Sequence, residues 1–232
     1  MVNNWIDIIQ DCLFPPTCIL CNLSSNTFDI CEPCAISLEK NTNCCYRCGE
    51  TFETSISIPT ICGKCIYTPP AYDETHAPFI FQSGVRYLIH TLKFHNSYKN
   101  SRLLGRLISD SIQNTAELPE LIIPVPLHPI RYQQRGFNQS LEIARTVSKQ
   151  LNIPLDYSSC QRKKYTLQQS ALPAKQRRKN IRNAFVISQP IKADHVVILD
   201  DVMTTGTTVN ELAATLKKAG VSRVDIWVCA RA

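Results

Sequence analysis

VVILDDVMTTGTTVNEL, residues 196–212, decides how this chain folds. Its first four residues are apolar and β-branched or aliphatic without a polar break, which is the pattern of a strand buried on both faces of a parallel sheet. Asp200 and Asp201 stand at the carboxyl end of that strand. A loop of small hydroxyl residues with one glycine follows, and Thr207 or Thr208 is placed to cap a helix. Open α/β sheets bind their ligands at this junction, outside the carboxyl ends of the strands. The backbone N–H groups of 204–208, the threonine hydroxyls and the helix N-terminus make a nest for an anion. Two adjacent carboxylates would repel a bare phosphate, so the pattern fits a ligand that also offers sugar hydroxyls and a divalent metal. The plainer alternative is a capped helix beside a strand-end Asp pair. No G-x-x-x-x-G-K-[ST] is present, which speaks against a P-loop ATPase.

Outward from this stretch, strands and helices alternate. Apolar runs predict strands over Phe79–Gln82, Leu121–Val125, 153–160, Ala184–Ile187, His195–Leu199 and Arg223–Cys229. Helical spacing appears over 84–95, 101–114 (Leu103, Leu104, Leu107, Ile108, Ile112), 138–151 and Thr207–Ala219, the last ended by Gly220. The alternation implies βαβ units and a mostly parallel sheet flanked by helices.

Two further segments carry charge suited to anions. PVPLHPIRYQQRGFNQS (124–140) follows an early strand, and Leu127, His128, Arg131 and Arg135 are its candidate ligand residues; His128 between prolines fits a structural hydrogen bonder better than a general base. CQRKKYTLQQSALPAKQRRKNIR (160–182) holds eight basic side chains and no acid. Such a run repels itself unless an anion or solvent screens it. It is open to two uses. Arg162, Lys163 and Lys164 would close as a mobile hood over a bound anion and exclude water. Alternatively Lys175, Arg177, Arg178, Lys179 and Arg182 would track a nucleic-acid backbone, with Tyr165, Tyr132 and Phe137 stacking on bases.

The amino-terminal part differs in kind. Ten of the chain's 12 cysteines precede residue 66. They include four C-x-x-C pairs: Cys18/Cys21, Cys31/Cys34, Cys45/Cys48 and Cys62/Cys65. Eight thiolates in four knuckles supply two closed tetrahedral zinc sites, structural rather than catalytic because no ligand position is left open. Sequential pairing, 18/21 with 31/34 and 45/48 with 62/65, gives the shorter loops. Cys44 competes with Cys45 for the third knuckle, and Cys12 reads as a spare thiol. Residues 1–70 carry three basic and seven acidic side chains, net −4, against net +10 for 71–232. The organisation expected is an amphipathic helix within 1–16 (Trp5–Leu13), a double zinc ribbon over 17–66, a Pro-containing connector over 67–75 and an α/β domain over 76–232.

At 232 residues and 44% hydrophobic the chain is ordinary globular material, not a disordered or fibrous one. No apolar run reaches the ~18 residues of a membrane helix. MVNNWIDIIQDC lacks a basic start and meets acids at Asp7 and Asp11, which argues against a secretory signal.

Taken together, the paired knuckles, IHTLKFH with RLLGRLI, VPLHPIRYQQRGFNQS, the basic NAF-ended segment, DDVMTTGTT and the terminal VCARA resemble the ComF family (the ComF/ComFC and GntX group). The CC doublet at 44–45 and the stretch 152–157 match no family feature. The resemblance implies a type I phosphoribosyltransferase-like domain behind a double zinc ribbon. It implies that Asp200 and Asp201 hold the ribose hydroxyls of phosphoribosyl pyrophosphate (PRPP), carried with Mg2+, and face the charge that develops at C1′. Val202, Thr204, Thr205, Gly206, Thr207 and Thr208 would hold the 5′-phosphate. It also implies a cytoplasmic protein of natural transformation, acting on or near incoming single-stranded DNA with other competence or DNA-processing proteins. The alternative is a phosphoribosyltransferase of nucleotide or base metabolism with an unidentified nitrogen acceptor.

Overall fold

A computed structural model describes residues 17–25, 29–56, 58–95, 97–113, 117–165 and 181–232. The helix expected over Trp5–Leu13, Cys12 and the basic residues Lys175, Arg177, Arg178 and Lys179 lie outside the described residues. In chain order the elements are α1 (Glu32–Ile36), α2 (Gly63–Tyr67), β1 (Glu74–His76), β2 (Phe79–Ile80), α3 (Ser83–His95) and α4 (Tyr98–Ile112). They continue with β3 (Leu121–Pro124), α5 (Pro129–Arg135), α6 (Gln139–Leu151), β4 (Cys160–Arg162), β5 (Phe185–Ile187), β6 (His195–Met203), α7 (Thr207–Lys218) and β7 (Arg223–Arg231).

The main sheet is parallel, in the order β1-β7-β6-β3, and β2 continues beside β7 after β1 ends. Period-2 alternation sorts its residues onto two faces. Val197, Leu199, Trp227 and Cys229 meet Leu88, Leu92, Leu104, Ile108 and Ile143 of α3, α4 and α6. Val196, Ile198, Val224, Ile226 and Val228 meet Val209, Leu212 and Leu216 of α7 on the other face. Both faces are covered, as the unbroken apolar runs require. Where α4 crosses α6, a side chain at Gly105 would lie 2.7 Å from Thr146 Cβ and 2.9 Å from the Ile143 carbonyl, so only hydrogen fits there.

Four local expectations need correction. The strand expected over 153–160 is absent: Leu155 makes only an isolated bridge to Ile122, and Asp156 instead caps the turn that holds the N–H groups of Ser158 and Ser159. Cys160 begins β4, which pairs antiparallel with β5 as a two-stranded flap away from the main sheet. Residues 129–135, outside every helix range expected above, form α5, because Pro129 at its first turn and His128 as its cap both favour a helix start. Finally α7 is capped by Gly206 at φ +71°, not by a threonine side chain.

Candidate functional site

β6 runs nine residues, long enough to carry Asp200 and Asp201 past the edge of its neighbour β3 and into a cleft of about 260 Å3. The chain then turns through Thr204, Thr205 and Gly206 into α7, and these residues with Thr207, Thr208 and Val202 line one wall. Gly206 is required there twice over. Its φ is left-handed, and a Cβ would come within 2.7 Å of Met203 Cε. Thr205 Oγ1 and Thr207 Oγ1 sit 2.7 Å apart and hold each other, so the loop is shaped before any ligand arrives.

The facing wall comes from β3 onward. Leu127, Arg131 and Arg135 line it, with Arg162 reaching in from β4. Asn138 ties the segment together: its side chain donates to the Val125 carbonyl at 3.0 Å and accepts from the Ser140 N–H at 3.1 Å. Arg135 donates to Gln139 Oε1 at 2.6 Å. Ser140, at the start of α6, donates its hydroxyl to Asp200 Oδ1 at 2.7 Å.

Lys93, in the last turn of α3, ion-pairs with Asp201. Burial opposes the ammonium charge, but Asp201 beside it outweighs burial and holds the Lys93 pKa above its ordinary value. The pair therefore does not face a ligand as two bare carboxylates. Burial, then the neighbouring Asp201, pushes Asp200 up to about 7, against the pull of Ser140 and Lys93. Asp200 keeps some surface open to cleft water, which screens part of that effect. Arg135 is held below its usual value by burial. Across the cleft, four cationic side chains (Lys93, Arg131, Arg135, Arg162) meet two carboxylates. That excess suits a polyphosphate.

The predicted residues thus divide. Asp200, Asp201, Val202, Thr204 to Thr208, Leu127, Arg131, Arg135 and Arg162 share one cleft. His128 turns away as the α5 cap, its Nδ1 accepting from the Ile130 N–H at 3.3 Å, and lines a neighbouring cavity with Lys163. Lys164 is exposed and lines neither. Arg182 lies behind the threonine loop, in a cavity it shares with Cys65, Tyr72 and Gly206. Phe137 is buried and is not available to stack on a base. Lys93, Phe94, Gln139 and Ser140 were not singled out from the sequence. The only signal for Lys93 was a charge beside the apolar stripe of IHTLKFH, which a helix end accommodates without any function.

The eight knuckle cysteines gather in sequence order into two sets, Cys18/Cys21/Cys31/Cys34 and Cys45/Cys48/Cys62/Cys65, with each set's sulfurs within 4.8 Å of one another. Cys21 and Cys31 sulfurs are 3.6 Å apart and those of Cys48 and Cys62 are 3.7 Å apart. Four thiolates at about 2.3 Å from a central Zn2+ would be about 3.8 Å from each other, so both sets fit the ion. Cys44 stands outside: its thiol is turned to the Asn41 carbonyl.

Comparison with known proteins agrees with this layout. Residues 9–66 match the double zinc ribbon domain, and 138–232 the phosphoribosyl transferase domain. The DNA utilization protein YhgH of Escherichia coli O157:H7 is 33% identical over 224 residues, covering 94% of this chain and 97% of its own. Competence protein F of Haemophilus influenzae is 33% identical over 225 residues, covering 93% of this chain and 96% of its own. The chain belongs to the ComF family. Its sheet, flanking helices and acid-pair loop are the type I phosphoribosyltransferase-like part of that family's architecture, and the two four-cysteine sets are its double zinc ribbon. Among solved structures, a purine phosphoribosyltransferase from Pyrococcus horikoshii Ot3 superposes loosely on 56% of this chain and 80% of its own, at TM-score 0.33 and 20% identity. Among the described residues, no helix is long and apolar enough to cross a membrane.

Proposed function

We propose that this ComF-family chain binds Mg2+-PRPP in the cleft and serves natural transformation in the cytoplasm, acting on or with incoming single-stranded DNA and other DNA-processing proteins. The observation that carries the ligand assignment is the opposition, across one cleft, of a preshaped threonine loop and acid pair to three arginines. The loop N–H groups and hydroxyls of Thr204 to Thr208 take the 5′-phosphate at the start of α7. Asp200 and Asp201 take the ribose hydroxyls and face any positive charge that develops at C1′. Arg131, Arg135 and Arg162 take the pyrophosphate, as planar donors matched to phosphate oxygens. Mg2+ would neutralise leaving-group charge, held by the ligand and by the acid pair. Lys93 ion-pairs with Asp201 and holds it in place. The competence role is supported by the names of the relatives, Competence protein F and DNA utilization protein, over nearly the whole chain.

Calorimetric titration of the zinc-loaded protein with Mg2+-PRPP, beside the Asp200→Ala/Asp201→Ala variant, tests the site. Saturable binding by the wild type that disappears in the variant is the expected result. A folded, zinc-replete wild type that takes up no PRPP overturns the assignment. Release of pyrophosphate that depends on an added nitrogen base would extend binding to catalysis.

A further inference from the structure

Leu127 and Arg162 line the cleft on one side and a second cavity of about 620 Å3 on the other. That volume lies in the range of small-molecule sites. The cavity is walled by the proline-rich end of β3, by α5, by α6 and by the flap strand β4. Leu127, His128, Tyr132, Arg162 and Lys163, singled out from the sequence for other sites, meet here.

Its chemistry is one-sided. Arg145, Arg162, Lys163 and His128 line it, and no aspartate or glutamate does. Arg145 is ion-paired at 3.6 Å with Glu142, one turn away on the same helix and outside the lining. Burial, then the neighbouring Arg131 charge, lowers the Arg162 pKa to about 10, against the pull of Asp200 from the cleft side. Tyr132 and Tyr157 also line the cavity, 49% and 59% exposed. The Arg145 guanidinium lies 5.6 Å from the Tyr157 ring centre, which holds the ring as a flat, cation-backed face. Exposed aromatic faces beside paired cations, in a concave and acid-free site, match a ligand with both a flat π-system and a phosphate. A bare anion would leave the tyrosines unused, and an apolar ligand would make no use of the cations that line the wall.

We propose that this cavity is a nucleotide site, separate from the phosphoribosyl cleft, in which a base stacks on Tyr157 and Tyr132 while Arg145, Arg162 and Lys163 hold its phosphate. Leu127 and Arg162 belong to both cavities, so a nucleotide bound here sits next to the PRPP site without entering it. The shared chemistry has two sources, a free mononucleotide or one residue of a single strand. The proposal rests on the preceding reading only for the choice between them.

Equilibrium dialysis of the full-length, zinc-replete protein tests it with three probes: thymidine 5′-monophosphate, thymidine and inorganic phosphate. Saturable uptake of the nucleotide, at least tenfold tighter than either fragment, is expected. Tyr157→Ala and Arg145→Glu should each weaken it at least tenfold. Both positions are more than half exposed, so neither change should disturb the fold. Mg2+-PRPP titrated into the same variants should bind as it does to the wild type, which keeps this test independent of the cleft. A ten-residue oligothymidylate that binds tighter than the monomer, with affinity falling steeply as salt rises, identifies a strand as the source. An oligomer no tighter than the monomer identifies a free nucleotide. Nucleotide uptake unchanged in both variants overturns the proposal. So does uptake abolished by Asp200→Ala/Asp201→Ala, which would place the nucleotide in the cleft.

Discussion

The two four-cysteine knuckles are alike in ligands and geometry, yet they are anchored to different parts of the molecule. Cys18 of the first packs with Leu38, Val85 and Leu88, so this knuckle sits on α3, the helix that carries Lys93. The contact is close: a side chain at Gly84 would lie 2.9 Å from Leu38 Cδ2 and 3.1 Å from Leu20 Cδ1. Cys45, Cys48 and Cys65 of the second pack with Tyr72 and Met203, directly behind the threonine loop. Buried Arg231 ties the two together, donating to the Cys48 carbonyl at 3.2 Å and to the Met203 carbonyl at 3.1 Å, while Glu50 pairs with its other edge. A zinc ribbon of this size has little core of its own. Here it borrows the core of the sheet domain, and in return one knuckle backs the loop and the other seats the first turns of the helix that carries Lys93. The ribbon is part of the site's scaffold.

The sharpest way to break this comparison is to remove one metal at a time. Cys48→Ser should cost the second zinc and, with it, the support behind Met203, lowering Mg2+-PRPP affinity at least tenfold. Cys34→Ser, in the first and more exposed knuckle, should cost one zinc with a smaller effect on the ligand. Native mass spectrometry counts the metals, and calorimetry reads the affinity. Equal losses from both variants would erase the distinction between the knuckles.

A second test moves to the first knuckle's client. Lys93→Met leaves Asp201, 3% exposed, without its ion-pair partner. Removing one member of a buried pair costs about 3 kcal/mol, because the remaining charge stays desolvated. Urea unfolding should show that loss, and Asp201→Asn in the same background should recover most of it. No recovery would mean that Lys93 acts through packing and not through charge.

Gly206→Ala is expected to do less to stability and more to the ligand. An alanine held at φ +71° costs about 1–2 kcal/mol, and its methyl must displace Met203 Cε and press on the Tyr72 hydroxyl. The melting temperature should fall by a few degrees, and PRPP affinity several-fold, as the loop N–H groups lose their common direction. A loop that tolerates the methyl with full affinity would show that its shape comes from the Thr205–Thr207 hydroxyl contact instead.

How much of this was legible in the sequence follows from range. The β6 strand, the acid pair and the loop to α7 are contiguous, so local periodicity and residue type were enough to find them. The cysteine knuckles were legible for the same reason, since C-x-x-C spacing is itself a geometry. Lys93 was not, because it reaches Asp201 from more than a hundred residues away. Ser140 was not, because a serine in a helix's first turn is a common cap and nothing local aims it at Asp200. Strand expectations failed at 153–160, where apolar and β-branched residues favour extension but Asp156 captures the backbone in a turn. The described start of the basic run divides in space for a similar reason. β4 pairing with β5 sends Arg162 into the cleft and Lys163 to the neighbouring cavity, an outcome set by an antiparallel partner more than twenty residues on.

The smallest expected effect separates the two carboxylates of the pair from each other. Asp201 is compensated by Lys93, whereas Asp200 has Ser140 and a backbone N–H for partners. With its folded value raised to about 7, above that of an unfolded aspartate at about 4, Asp200 stabilises the fold by holding its proton. That contribution is fully present below about pH 4 and is lost as pH rises towards about 7, because the unfolded chain ionises first. Asp200→Asn cannot ionise and escapes the loss. In magnesium-free buffer it should therefore melt higher than the wild type at pH 8, by about 2–4 °C once cleft water is allowed for. The gap should narrow at pH 5.5. The same variant should bind Mg2+-PRPP poorly, so stability and ligand affinity move in opposite directions. A wild type that melts at or above the variant at pH 8 would mean that Asp200 ionises in the fold without cost, its charge compensated by the Ser140 hydroxyl and by Lys93.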